Sequence, residues 1–283
     1  MVKPKSLLQA GNLLAGTATI IVNILAGLTL INNTSTAAVS DQYPNLFTPT
    51  GLTFAIWGVI YVLILVFLWY QLKGIRKGEA PEVVEKIGGY FILSCAANIA
   101  WIFIWQYKYV NWSLLPMVLL LISLIEIYTR LGIGKATVPR RERYSVHLLF
   151  SVYLGWITVA TIANVAAYLV AIGWDRFGLT EATWFGLVLA VATVIALLVL
   201  WTRRDLAYIL VVVWAYIGII IKHMQPDPHY GVQPVLAAYT AVMLVILVFA
   251  YLIRLIADRT PPKKKGEPAP APPAEETPPT QTP

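Results

Sequence analysis

The sequence predicts an all-α, polytopic helical membrane protein with eight transmembrane helices. Three observations carry that prediction. Of 283 residues, 58% are hydrophobic and only 12% charged, against about 45–50% apolar and about 25% charged in a soluble domain. Eight runs are long and apolar enough to cross hydrocarbon, where a helix must satisfy its own backbone groups over about 17–25 residues. Finally, the basic residues fall between those runs with an alternating bias. A net charge of +7 therefore reads as membrane topology and not as a nucleic-acid surface.

In chain order the runs are Leu13–Ile31, Leu52–Leu72, Gly89–Gln106, Trp112–Thr129, Leu148–Ile172, Thr183–Thr202, Leu206–Ile221 and Val235–Ile253. The seventh is the shortest. Lysines precede the first run and Ala37-Ala38 follow it, as in a cleaved signal, but its apolar core is longer than about 7–15 residues, so it reads as a retained span. With alternate loops taken as cytoplasmic, 18 of the 21 Lys and Arg residues lie inside and only Lys108, Arg176 and Lys222 outside. A missed or invented span would scramble that split, so both termini are expected to be cytoplasmic. Residues from Thr260 onward are rich in Pro, Lys, Glu and Thr, and read as a disordered tail whose Lys263–Lys265 run meets lipid headgroups.

Depth sorts the ten tryptophans. Trp69, Trp112, Trp174, Trp184 and Trp201 fall at or beside span ends, where an indole anchors at headgroup level. Trp57, Trp101, Trp105, Trp156 and Trp214 lie inside spans, where the N–H needs an acceptor. Polar partners fall in register with them. Asn98, Trp101 and Trp105 share a face of the third span, Trp57 and Tyr61 a face of the second, and Trp156, Ala160 and Asn164 a face of the fifth. An asparagine in hydrocarbon faces protein or a wet cavity. Convergence on one cavity and simple interhelical hydrogen bonding both satisfy that spacing.

Three segments resemble the TspO/MBR family, the tryptophan-rich sensory proteins related to the translocator (peripheral benzodiazepine receptor) protein. Phe47-Thr48-Pro49-Thr50-Gly51-Leu52-Thr53-Phe54-Ala55-Ile56-Trp57, followed by Tyr61, is similar to the loop and second helix of that family. Asn98-Ile99-Ala100-Trp101 is similar to its third-helix Asn-x-x-Trp. Tyr153-Leu154-Gly155-Trp156, with Asn164 eight residues beyond the tryptophan, is similar to its fifth helix. Thr50 stands where the family has a second proline.

The resemblance implies a five-helix membrane domain over residues 1–175. Three further transmembrane helices over 176–258 and the tail over 259–283 follow it. It implies a sensory or regulatory protein of a bacterial inner (plasma) membrane that binds a hydrophobic aromatic ligand, a porphyrin or other tetrapyrrole, or a sterol-like lipid. Trp57, Tyr61, Asn98, Trp101, Trp156, Ala160 and Asn164 would line the cavity, with Tyr43, Phe47 and Pro49 on a lid loop. A bound porphyrin or haem is the only cofactor it implies, and a homodimer the protein partner. Porphyrin breakdown enters by resemblance alone.

Nothing else in the sequence asks for an enzyme: it shows no nucleophile–base pair, no phosphate-cradling glycine loop and no paired carboxylates at depth. One cysteine, Cys95, excludes an internal disulfide framework and a thiolate cluster. Glu126 is the one carboxylate well inside a span; it reads as a partner of Arg130 at i+4 before it reads as a proton relay. His223, Asp227 and His229 read as a polar loop, His147 as an interfacial residue and Asp205 as a turn residue. A small-metabolite transporter is the alternative, although no internal repeat supports it. A scaffold packed through Gly16, Ala26 and Gly27 is another.

Overall fold

The structure, a computed structural model, describes residues 4–75 and 81–259. Among the described residues there is no strand, and eight long helices account for the architecture. They are α1 (Pro4–Gly27), α2 (Ile56–Ile75), α3 (Tyr90–Gln106), α4 (Val110–Arg130), α5 (Leu148–Ala171), α6 (Glu181–Arg203), α7 (Leu206–Met224) and α8 (Pro234–Arg259). Seven are long and apolar enough to cross a membrane, and α3 is a shorter apolar helix of 17 residues. The short member is thus the third helix, since α7 runs on through Lys222 to Met224. The expected tail lies outside the described residues, as do Lys3, Arg76 and Lys77 of the charge pattern.

The first helix sits further toward the N-terminus than its apolar run. Thr29 takes a positive φ, as do Asn32 and Asn33 further on, and the helix ends at Gly27 although Leu28, Leu30 and Ile31 are apolar. Its early turns carry Gln9 and Asn12, polar side chains that a hydropathy window rejects. Both are buried against α2: Gln9 Nε2 donates to the Gln71 carbonyl at 2.6 Å, and Asn12 Nδ2 to Gln71 Oε1 at 3.1 Å. In lipid such pairing holds helices together, because apolar contact alone distinguishes protein from bilayer poorly.

Alternating helix direction puts residues 28–55, 107–109, 172–180 and 225–233 at one end of the bundle, here called the distal end. The first five helices pack together, with α3 on α4, α4 on α5 and α1 on α3. The last three attach unevenly: α7 packs on α5, while α6 packs chiefly on α8 and touches α5 only sparsely. At the opposite end the α6–α7 turn is tightly seated. A Cβ on Gly134 would lie 1.6 Å from the Arg203 carbonyl oxygen, so only glycine fits there. Asp205, read as a turn residue, also caps α7 by accepting from Tyr208 N at 3.1 Å, and accepts from Tyr128 Oη at 2.9 Å.

Candidate functional site: an indole-walled cavity at the distal end

The distal half of the bundle gathers aromatic rings because α2, α3 and α5 each carry an indole at the same depth. Trp57 is the hub. Its ring lies 5.9 Å from Tyr61 and 6.5 Å from Trp101, nearly parallel to both, and meets Tyr153 and Trp156 edge-on at 6.1 and 6.2 Å. Trp101 continues the stack to Trp105 at 5.4 Å, and Phe54 abuts Trp156 at 5.7 Å. Offset and edge-to-face arrangements are those the ring quadrupoles favour.

These rings surround a small cavity of about 30 Å³, room for a water or two. That is well under the about 300–1,000 Å³ of small-molecule sites, so a ligand enters only if the walls part. Four indoles (Trp57, Trp101, Trp105, Trp156) wall it, together with Ala160 and Asn164 of α5. Ser40, Pro49 and Phe54 close it from the side of the 28–55 segment. Two of the four indole N–H groups are hydrogen-bonded. Trp101 Nε1 donates to Asn164 Oδ1 at 3.0 Å, and Asn164 Nδ2 donates onward to Ser113 Oγ at 2.7 Å. Trp105 Nε1 donates to the Thr36 carbonyl at 3.0 Å. Trp156 Nε1 differs: it is buried with no hydrogen-bond partner in the structure. A buried donor without an acceptor costs about 1–3 kcal/mol, and this one sits in a side chain that borders the cavity.

The remaining expected residues stand elsewhere. Tyr61 and Asn98 lie beneath the cavity in a second polar layer: Tyr61 Oη donates to Asn23 Oδ1 at 2.8 Å, Asn23 Nδ2 to Asn98 Oδ1 at 2.6 Å, and Asn98 Nδ2 to Tyr153 Oη at 3.1 Å. Asn23, Asn98 and Tyr153 are buried. This layer packs against Trp57 from beneath, through Tyr61 and Tyr153, and does not itself line the cavity. Of the expected lid, Pro49 closes the cavity, Tyr43 packs on Trp105 at 6.4 Å, and Phe47 faces a neighbouring cavity. Asn45 stiffens the segment, its Oδ1 accepting from Phe47 N, Thr48 N and Thr48 Oγ1 at 3.1, 2.9 and 3.1 Å.

Sequence reasoning passed over Asn23 and Ser113, the partners of Asn98 and Asn164. Asn23 was legible by the same rule that singled out Asn98, an amide inside an apolar run; a serine like Ser113 carries no such signal. It also passed over the help from α7. Trp214 Nε1 donates to the Thr53 carbonyl at 2.9 Å, and Thr50 N to the Gly218 carbonyl at 3.3 Å. A Cβ on Gly218 would come within 2.0 Å of Thr53 Oγ1 and 3.0 Å of Pro49 Cβ. The segment that closes the cavity therefore rests on α7.

The other candidates are structural in geometry. Glu126 Oε2 and Arg130 Nε lie 3.3 Å apart on a half-exposed face, with the guanidinium 4.6 Å from the Tyr90 ring. His147 lies 3.7 Å from Glu142 at the proximal start of α5. No group of three or more His, Cys, Asp or Glu side chains able to hold a metal occurs among the described residues.

Compared with known proteins, no curated protein and no solved structure matches this chain. A family model described as TSPO-like protein matches residues 9–254, a stretch that runs through all eight helices and past the first five, among which the three resembling segments lie. A match over that much of the chain shows its family: the protein belongs to the TSPO-like proteins.

Proposed function

We propose that this membrane protein binds a flat, hydrophobic aromatic ligand, a tetrapyrrole or a sterol-like ring system, in the cavity between Trp57, Trp101 and Trp156, and acts as a sensor or regulator. The observation that carries the reading is the gathering of four indoles around one space beside Ala160 and Asn164, with the buried N–H of one of them, Trp156, left unpartnered. A ligand with an apolar body and one acceptor at its edge meets both features once the walls part: its rings stack on indoles, and its acceptor receives the Trp156 Nε1–H hydrogen bond. Ala160 keeps the space open by being small. Either ligand needs more room than the about 30 Å³ of the closed cavity, so binding lifts the 41–50 segment away from Trp105 and Pro49 away from Gly218. In this reading the distal end is the non-cytoplasmic side, and both termini are cytoplasmic.

Titration of the detergent-solubilised protein with protoporphyrin, followed by tryptophan fluorescence, tests it. Saturable quenching that weakens about 5–10-fold in Trp156→Phe, which keeps a ring and removes the N–H, is the expected result. Equal binding by Trp156→Phe and by a variant with the cavity blocked would defeat the assignment. A membrane-impermeant maleimide on Thr50→Cys reports the side; Cys95 is buried and does not compete.

A further inference from the structure

A second cavity lies beside the first at the distal end, and its chemistry differs. It measures about 60 Å³ and opens at a rim bounded by residues 44–47, the end of α5, the start of α6 and Tyr230 of the α7–α8 loop. Its rim is polar. Arg176 Nη1 and Glu181 Oε1 pair at 3.3 Å, both partly exposed, and two indoles stand beside them, Trp174 and Trp184, edge-to-face at 4.8 Å. Tyr230 completes the rim, its Oη donating to the Pro44 carbonyl at 3.1 Å. Burial and the nearby Glu181 carboxylate push the Tyr230 phenol up, so it stays a neutral donor. Deeper in, Ala166, Val170 and Val188 make the wall apolar.

The cavity does not end there. Trp184 and Val188 also border a wholly apolar groove of about 290 Å³, lined further by Ile162, Leu187, Val191 and Ile195. The groove exists because α6 leans on α8 and leaves α5. From Trp184 to Ile195 the helix rises about 16 Å at about 1.5 Å per residue. Half of a hydrocarbon core of about 30 Å is about 15 Å. An acyl chain beginning at the rim therefore matches the groove in length.

We propose that the rim and groove together bind one zwitterionic phospholipid, an amine-bearing headgroup in the rim and an acyl chain between α5 and α6. The adjacent opposite charges match the headgroup: Arg176 takes the phosphate, since its five N–H donors are only partly used by Glu181 and the Leu179 carbonyl. Glu181 and the faces of Trp174, Trp184 and Tyr230 take the ammonium, the chemistry of aromatic cages for quaternary ammonium groups. The lipid would be a fixed part of the distal end, pressing on the opposite side of the 44–49 segment from the indole-walled cavity.

Native mass spectrometry of the whole protein, exchanged into detergent with equal amounts of phosphatidylcholine, phosphatidylethanolamine and phosphatidylglycerol, tests this without any aromatic ligand. The expected result is one retained lipid, with either amine-bearing headgroup favoured over phosphatidylglycerol by roughly fivefold to tenfold. Glu181→Gln should erase that preference, and Val188→Trp, which fills the junction of cavity and groove, should remove the bound lipid. Equal retention of the three lipids, no retained lipid, or an unchanged preference in Glu181→Gln would overturn the proposal. Because Glu181→Gln alters one rim group and no core packing, a failure of Val188→Trp to fold leaves the test intact. Porphyrin binding is read separately, so neither site's failure is mistaken for the other's.

Discussion

Two cavities share the distal end of one bundle, and a single segment, residues 44–49, separates them. On one side Pro49 closes a space walled by four indoles, with Ser40 and the Asn164 amide beside them and the Trp156 N–H left unpartnered. On the other, Pro44 to Phe47 border a space with an ion pair at its rim and an open apolar groove below. The first is built by α2, α3 and α5 around rings that stack on each other; the second by the divergence of α5 from α6. The contrast teaches that the last three helices do more than extend the bundle. α7 props the wall of the first cavity through Gly218 and Trp214, and α6 supplies half of the second.

The comparison breaks most sharply at Ala160. A phenylalanine there fills the indole-walled cavity and nothing in its neighbour, because Ala160 borders only the former. Ala160→Phe is expected to weaken porphyrin quenching roughly 10–100-fold, the loss of stacking on more than one ring, while the retained lipid is unchanged in mass spectra. Parallel loss at both sites would mean that the two spaces act as one. Gly218→Ala comes next. Its new methyl meets Thr53 Oγ1 at 2.0 Å and must displace the turn that starts α2. Overpacking of that kind costs about 1–3 kcal/mol. A lowered melting temperature in detergent, with altered tryptophan emission, is the expected outcome. An unshifted melt would show that the 49–53 segment yields freely.

How much of this was legible in the sequence follows from which force placed each residue. Lipid dictates long apolar runs and sorts basic loops, so eight helices were readable from hydropathy alone. Where a helix began was less so, because Gln9 and Asn12 look like loop residues until Gln71 is seen to pair with them. Helix periodicity placed Trp57, Trp101, Trp156, Ala160 and Asn164 on inward faces, and all five border one cavity. Periodicity does not say which inward polar group finds which partner. Asn98 turned to Asn23 and Tyr153, one layer below the rings. Trp174 and Trp184 read as separate anchors at two span ends. Their meeting depends on the turn between them, where Arg176 and Phe177 adopt positive φ, and no spacing rule encodes that.

A smaller effect sharpens the role of the polar lattice. Asn164→Leu strands Trp101 Nε1, while Ser113 Oγ keeps its bond to the Val110 carbonyl at 2.8 Å; Ser113→Ala removes only one partner of Asn164. Interhelical hydrogen bonds in membranes average about 0.6 kcal/mol, and a stranded buried donor costs about 1–3 kcal/mol. Thermal unfolding should therefore rank Asn164→Leu clearly below Ser113→Ala, and porphyrin quenching should follow the same order. Reversal of that order would show that Trp101 is held by its ring contacts with Trp57 and Trp105 and not by its N–H.

The smallest expected effect belongs to Glu126, the carboxylate that stood out inside a span. Its partner Arg130 is one turn away, both side chains are close to half exposed, and neither cavity includes them. An exposed i,i+4 pair contributes about 0.3–0.5 kcal/mol, screened further by salt. Glu126→Gln keeps the side chain's shape and removes its charge. Porphyrin quenching, lipid retention and melting temperature should all stay within error of the parent. If the glutamine variant instead abolished a pH-dependent change in porphyrin binding, a charge at the far end of α4 would be coupled to the distal end. The separation of the two cavities from the rest of the bundle would then no longer hold.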